Sequence, residues 1–74
     1  MRNIVGPRVR EARLAHSPRL TQEDLAARLQ VLGLNIDRVL VAKIETGIRR
    51  VSDIELIKLA QALGVTAAWL LHEE

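Results

Sequence analysis

One short pattern recurs at four places in the chain and limits what the chain can fold into. In each place a Ser, Thr or Asp follows an aliphatic residue, and a second aliphatic residue comes four positions after the polar one. This pattern is typical of a helix N-cap with a hydrophobic staple, in which the polar side chain accepts a free backbone N–H and the two aliphatic side chains pack together. Four such starts, each followed by helical periodicity, predict an all-α fold. The four sites are Leu20, Thr21 and Leu25; Ile36, Asp37 and Val41; Val51, Ser52 and Leu56; and Val65, Thr66 and Leu70.

Glycines and prolines mark where these helices end. Gly33, Gly47 and Gly64 stand where a residue in the left-handed conformation ends a helix. Pro7 is compatible with the first turn of an earlier helix, because the N–H that it lacks has no helical partner there. Pro18 requires that helix to stop before it. The sequence therefore predicts five helices, at about 5–16, 22–32, 38–46, 53–63 and 67–72.

A chain of 74 residues has room for one core, so residues 1–74 are expected to form a single domain. No cysteine is present, which excludes disulfides and thiolate zinc sites and is typical of a reducing cytoplasm. The core must then consist of aliphatic side chains at helical spacing. The expected core residues are Val5, Val9, Ala12, Leu25, Leu29, Leu32, Val41, Ile44, Leu56, Ile57, Leu59, Ala60, Leu63 and Leu70.

Composition excludes several classes of function. One Trp and neither Phe nor Tyr leave no aromatic platform on which single-stranded nucleic acid would stack. No apolar run approaches the roughly 20 residues that span a bilayer, so we expect a soluble, cytoplasmic protein without a membrane partner. The chain has no glycine-rich phosphate loop, no histidine pair at metal-ligand spacing and no cysteine nucleophile. We therefore expect neither an enzyme nor a metal, cofactor or small-molecule site. The net charge of only +2 leaves the partner to be decided by where the charges lie.

The third predicted helix divides its side chains between two faces. An advance of about 100° per residue places Val41, Ile44 and Glu45 on one side, where they are expected to face the core. The opposite side combines small and aliphatic groups with one cation and leads directly into the segment GIRR. Because the core does not need that side, it is the candidate surface for a partner. It consists of Val39, Ala42, Lys43 and Thr46.

The segments LTQEDLAARL and VLVAKIETGIRRVSDIELIKLAQALGV resemble the helix-turn-helix domain of the Cro and phage-repressor type, also called the XRE family. The resemblance covers about residues 5–71 and implies a compact five-helix, lambda-repressor-like fold, with the helix-turn-helix core at about residues 21–47. It also implies a double-stranded DNA ligand read by the third helix in the major groove. The implied protein is a homodimeric transcriptional regulator, with repression as the expected outcome.

The resemblance further implies roles for individual residues. Arg13 and Glu45 are expected to form an internal ion pair that holds two helices together. The side chains expected to read base edges are Arg38, Val39 and Lys43. Those expected to contact DNA phosphates are Gln22, Thr46, Arg49 and Arg50.

The chemistry of these residues supports the roles unevenly. Arg49 and Arg50 precede the start of the fourth helix, where two guanidinium groups and a positive helix end favour an anion, although a solvated loop is the alternative. Lys43 can donate to guanine O6 and N7. Val39 and Ala42 offer only apolar surface, for which a thymine methyl group is the matching feature.

The sequence allows two positions for Val39 and Leu40. The connection between the second and third helices is about five residues longer than the short turn usual in the family, so Val39 and Leu40 either meet thymine methyl groups or pack beneath this connection.

The alternative function is a protein-interaction or antitoxin-like module that keeps the fold with weak or no specific DNA reading. For a dimer, Ile54 and Trp69, with Leu71 nearby, are expected to provide exposed apolar area.

Overall fold

The computed structural model describes residues 3–73 and folds into five helices with overall dimensions of 25 × 22 × 20 Å. The ends of each helix lie within two residues of the predicted positions, and no β-strand occurs in the described range. The expectation of a compact all-α fold is confirmed. None of the helices in residues 3–73 is long and apolar enough to cross a membrane. The helices are α1 (Gly6–Ala15), α2 (Gln22–Val31), α3 (Arg38–Glu45), α4 (Asp53–Leu63) and α5 (Ala67–Leu70).

The four predicted N-caps are all present. At α2, the Thr21 hydroxyl accepts the N–H of Asp24 at 3.0 Å, and the Asp24 carboxylate accepts the N–H of Thr21 at 2.9 Å. The hydrogen bonds between the Asp24 carboxylate and Thr21, chiefly the one from the Thr21 backbone N–H, lower the pKa of Asp24. Ser52 and Glu55 form the same reciprocal capping box at α4. Asp37 caps α3 in the simpler way, by accepting one N–H from the first turn. Each cap stabilises its helix by about 1 kcal/mol.

Helix α3 is followed, after its C-cap residue Thr46, by Gly47, whose φ of 80° lies in the left-handed region. Its N–H donates to the carbonyl of Ile44, and the N–H of Ile48 donates to that of Lys43, both at 3.0 Å. These two bonds form a Schellman motif, which a residue with a side chain would strain. The motif turns the chain sharply away from α3 and so sets where the loop 48–52 begins. Gly33 and Gly64 have φ values of 92° and 71° at the ends of α2 and α4.

The core combines the staple side chains with the inward sides of the helices. Two expected core residues, Leu32 and Leu56, are only partly buried against it. The expectation for Ile57 is wrong: its side chain is 56% exposed, because it lies about 160° around α4 from the buried Leu59. The largest fully buried side chains are Leu25, Leu29, Ile44, Leu59, Leu70, Val9 and Val41. Buried hydrophobic residues outside the expected core are Leu20, Ala26, Ile36 and Ala62.

Trp69 joins α5 to α1 and does not lie exposed, contrary to expectation. The guanidinium carbon of Arg8 lies 4.5 Å from the centre of the indole ring, and the Arg8 Nη1 donates to the Trp69 carbonyl at 2.9 Å. A cation over an indole face is a favourable arrangement. The expected apolar area for a dimer is therefore reduced at α5, where Leu71 is also half-buried.

The start of α1 lies directly against the end of α3. A Cβ atom on Gly6 would lie 2.8 Å from the carbonyl oxygen of Glu45 and would also collide with that of Ile44. The Asn3 side chain bridges the same junction. Its Nδ2 donates to the carbonyls of Ile44 at 3.1 Å and Arg49 at 2.6 Å, while its Oδ1 accepts the N–H of Gly6 at 2.7 Å. Helix α3 is therefore held at its C-terminal end by α1 and packs against α2 along its length.

Candidate nucleic-acid interface

The outward side of α3 is open to solvent. Val39 is 49% exposed, and Lys43 and Thr46 on the same side are exposed as well, with Ala42 half-buried between them. Leu40, in contrast, is half-buried and packs against the core. Of the two aliphatic residues whose position was in question, Leu40 therefore serves packing, whereas Val39 is available to a partner.

The long connection between α2 and α3 is itself well packed. It spans residues 32–37, compared with the three or four residues of an ordinary helix-turn-helix turn. The N–H of Leu34 donates to the Leu29 carbonyl at 2.9 Å, and Gln30 Nε2 reaches the Ile36 carbonyl at 3.4 Å. Leu34 packs against the core and Ile36 is buried in it. The added length is thus accommodated without disturbing the cap at Asp37, and α3 begins where the sequence predicts.

Arg13 and Glu45 form a buried, two-point ion pair between α1 and α3. Arg13 Nε donates to Glu45 Oε2 at 2.7 Å and Nη2 donates to Oε1 at 3.1 Å. The remaining Arg13 nitrogen, Nη1, donates to the Leu20 carbonyl at 2.9 Å, and Gln22 Nε2 donates to Glu45 Oε1 at 3.1 Å. This network connects α1, the start of α2 and the end of α3. It fixes the angle at which the outward side of α3 is presented, and it occupies one amide donor of Gln22.

Arg49 is bound by the capping box of α4. Its Nη1 and Nη2 donate to Glu55 Oε1 and Oε2 at 3.0 and 2.9 Å, and Nη1 also donates to the Arg50 carbonyl at 3.1 Å. The hydrogen bonds from the Arg49 guanidinium lower the pKa of Glu55, and the same contact raises the pKa of Arg49. The spacing of Ser52 and Glu55 is typical of a capping box, and it does not indicate that Glu55 also pairs with Arg49. Much of the Arg49 charge is therefore neutralised within the protein.

Three other cations extend along the open side of α3 and beyond it. Arg38 lies at the start of the helix, Lys43 near its end and Arg50 in the loop that follows, and all three are exposed. Within residues 3–73 none of the three side chains forms an ion pair. Thr46 differs, because its hydroxyl donates back to the carbonyls of its own helix at 3.1 and 3.2 Å. The structure thus leaves Arg38, Lys43 and Arg50 with their charges available to a ligand.

Two shallow grooves meet at Arg38. One, of about 430 Å³, lies between α2 and the start of α3, and the other, of about 460 Å³, lies beside the α1–α2 connection. In the described part of the chain, no three His, Asp or Glu side chains are grouped so as to hold a metal ion. The first groove is lined by Glu23, Ala26, Ala27, Gln30, Asp37, Arg38 and Val39. The second is lined by Arg13, Arg19, Leu20, Thr21, Gln22, Glu23 and Arg38.

Comparison with known proteins identifies one family. A family model described as helix-turn-helix, of the Cro and phage-repressor type, matches residues 9–70. The matched stretch runs from within α1 to the end of α5 and contains every candidate residue described above. No curated protein and no solved structure matches the chain.

Proposed function

Because the chain belongs to the helix-turn-helix family of the Cro and phage-repressor type, whose members are DNA-binding regulators, we propose that it binds specific double-stranded DNA sequences and regulates transcription. In this proposal α3 lies in the major groove, and residues 1–74 act as one DNA-binding domain of a cytoplasmic protein. Repression follows where a bound operator overlaps the site that the transcription machinery needs.

The observation that supports this proposal best is the shape and exposure of α3. An α-helix with its side chains is about 10–12 Å across and therefore fits the major groove, which is roughly 12 Å wide. Three exposed residues, Val39, Lys43 and Thr46, and the half-buried Ala42 follow the i, i+3, i+4, i+7 spacing that places side chains along one side of a helix. We propose that Lys43 and Arg38 read guanines and that Val39 contacts an apolar base edge.

Phosphate contacts are proposed around the C-terminal end of this helix and in the loop that follows it. Arg50 has the strongest support, since it is exposed and its charge is unpaired within residues 3–73. Gln22 keeps a second amide N–H that could donate to a phosphate. Thr46 could donate to one only by giving up the hydrogen bond that its hydroxyl forms within α3. Arg49 is proposed to contribute mainly by holding the loop through Glu55, with a weaker phosphate contact of its own.

A homodimer is part of the proposal, because proteins of this class bind two half-sites about one helical turn apart. The surface that supports it best is the outer side of α4, where Ile54 is 61% exposed and Ile57 is 56% exposed. These residues are three positions apart, so they form one apolar strip on that helix.

The proposal is tested by selecting bound sequences from a random duplex pool. We expect one enriched motif with two half-sites roughly 34–36 Å apart. Lys43→Ala should relax the preference at one base pair of each half-site, at a cost of about 1–3 kcal/mol. Lys58→Ala is the matched control, since Lys58 lies on α4, which packs mainly against α1, α2 and α5. It should leave the motif unchanged.

Arg50→Ala provides the second half of the test. It should weaken binding to all sequences alike and reduce the slope of log affinity against log salt by about one. Binding to random duplex with no enriched motif, and with no loss on Lys43→Ala, would contradict sequence-specific regulation. It would favour the protein-interaction alternative.

A further inference from the structure

The open side of α3 is mainly apolar, which is unusual for a surface that reads DNA. Val39 presents an isopropyl group at 49% exposure, and Ala42 follows one turn later. Thr46 continues the line, and its hydroxyl proton is already donated to the carbonyls of Ala42 and Lys43. What these three residues offer to a partner is therefore chiefly methyl groups. We call them the methyl strip: Val39, Ala42 and Thr46.

The surroundings of the methyl strip favour a base over the DNA backbone as its partner. The groove beside Val39 is also lined by Glu23 and Asp37. Carboxylates repel phosphate, so the sugar–phosphate backbone is disfavoured on this side of Val39. Arg38 lines the same groove at one edge of the strip, but the two carboxylates outnumber this single cation. Lys43 lies at the other edge, as the helical advance of about 100° per residue requires. The strip is thus an apolar line between two donors.

In the major groove, one base feature is apolar, namely the methyl group on C5 of thymine, and Ala and Thr methyl groups are known to contact it. The other groups read there are hydrogen-bond donors and acceptors, apart from small C–H edges such as C5–H of cytosine, which offer much less apolar surface than a methyl group. From this we infer that the methyl strip recognises the 5-methyl group of a pyrimidine, with Val39 as the principal contact. This inference rests on the proposed function, and it names the base feature that sets specificity. The same group occurs on thymine and on 5-methylcytosine.

The inference is tested on the duplex enriched from the random pool. Each thymine is replaced singly by uracil, which removes only the 5-methyl group and keeps base pairing intact. At one or two positions in each half-site we expect the Kd to rise about fourfold, the effect of removing one buried methyl group. At those positions, replacing the T·A pair by a 5-methylcytosine·guanine pair should bind more tightly than replacing it by an unmethylated C·G pair.

The contact is assigned to Val39 by combining base and protein changes. Val39→Ala should weaken binding to the thymine duplex by several-fold and should abolish the difference between thymine and uracil at one position only. Because Val39 is half exposed, the variant is expected to keep the melting temperature of the wild type. Lys58→Ala is again the control and should preserve the thymine-to-uracil difference in full.

The possible results separate the two proposals. If no duplex sequence is enriched, the proposed function fails and the inference fails with it. An enriched motif that tolerates uracil at every position, or that contains no thymine, leaves sequence-specific binding intact and overturns the methyl inference. An effect of uracil that persists in Val39→Ala assigns the methyl contact to another residue and overturns the role of Val39.

Discussion

Removing the Arg13 side chain is expected to destabilise the fold severely. The Arg13 and Glu45 side chains are only 9% and 3% exposed, and the pair forms two hydrogen bonds directly. Arg13→Ala would leave the Glu45 carboxylate buried with the single donor from Gln22. It would also leave the Leu20 carbonyl without the bond it accepts from Nη1. Breaking a buried ion pair on one side in this way costs about 3–5 kcal/mol.

That loss is large compared with the stability of so small a domain. At roughly 0.05–0.15 kcal/mol per residue, the free energy of unfolding is about 4–11 kcal/mol in total. With a urea m-value of about 1 kcal/mol/M, the unfolding midpoint should fall by about 3 M or more. The assay is equilibrium urea unfolding followed by far-ultraviolet circular dichroism. Arg10→Ala is the matched control, since Arg10 lies on the same helix but is exposed, and it should shift the midpoint little.

The double variant Arg13→Met, Glu45→Leu tests whether the cost arises from the unpaired charge. It removes both charges and fills the space with apolar atoms, which is often neutral in free energy. The Leu20 carbonyl still loses a donor, so about 1–3 kcal/mol should remain lost. The double variant should therefore be more stable than Arg13→Ala by about 2 kcal/mol, the difference between the middles of the two ranges. A double variant as unstable as Arg13→Ala, or an Arg13→Ala loss below about 1 kcal/mol, would refute the reasoning.

Two further predictions concern the ends of α3 and α4. Gly6→Ala should destabilise the protein by about 1–3 kcal/mol in thermal unfolding, despite the better helix propensity of Ala. The reason is that the new Cβ meets the backbone carbonyl of Ile44, which cannot move aside. A stabilised variant would show that α1 lies farther from α3. The Arg49–Glu55 pair lowers the folded-state pKa of Glu55, so its stabilisation is complete above the ordinary glutamate pKa of about 4.3 and is lost as the pH falls below it. Glu55→Gln should therefore be less stable than wild type at pH 7 and should lose less stability between pH 5 and 3. Equal losses of stability in the two proteins would exclude a stabilising role for the Arg49–Glu55 pair.

Local sequence patterns were sufficient to predict the helices of this protein. Caps such as Thr21 and Ser52 and stops such as Gly47 depend on residues within a few positions of one another, and the structure has them where the patterns place them. The inward position of Glu45 likewise follows from helical spacing alone. These features could be predicted because their physical cause is local.

Features that depend on the distance between helices could not be predicted. The need for glycine at Gly6 arises from its approach to the end of α3, and Asn3 bridges the same junction. Nothing in the spacing of either residue indicates this contact. Arg49 is a related case, because Glu55 had an evident role as a capping residue and the pattern did not show that the same carboxylate also binds a guanidinium. The apolar character of Ile57 favours a core position, but its angle on α4 directs it to solvent.

The central claim is that the outward side of α3 contacts DNA, and its most direct test is the change in backbone amide NMR shifts when the enriched duplex is added. We expect the largest changes at residues 38–50 and at Gln22, with little change in the second half of α4 around Lys58. Changes confined to the outer side of α4, at Ile54 and Ile57, with α3 unaffected, would contradict the claim.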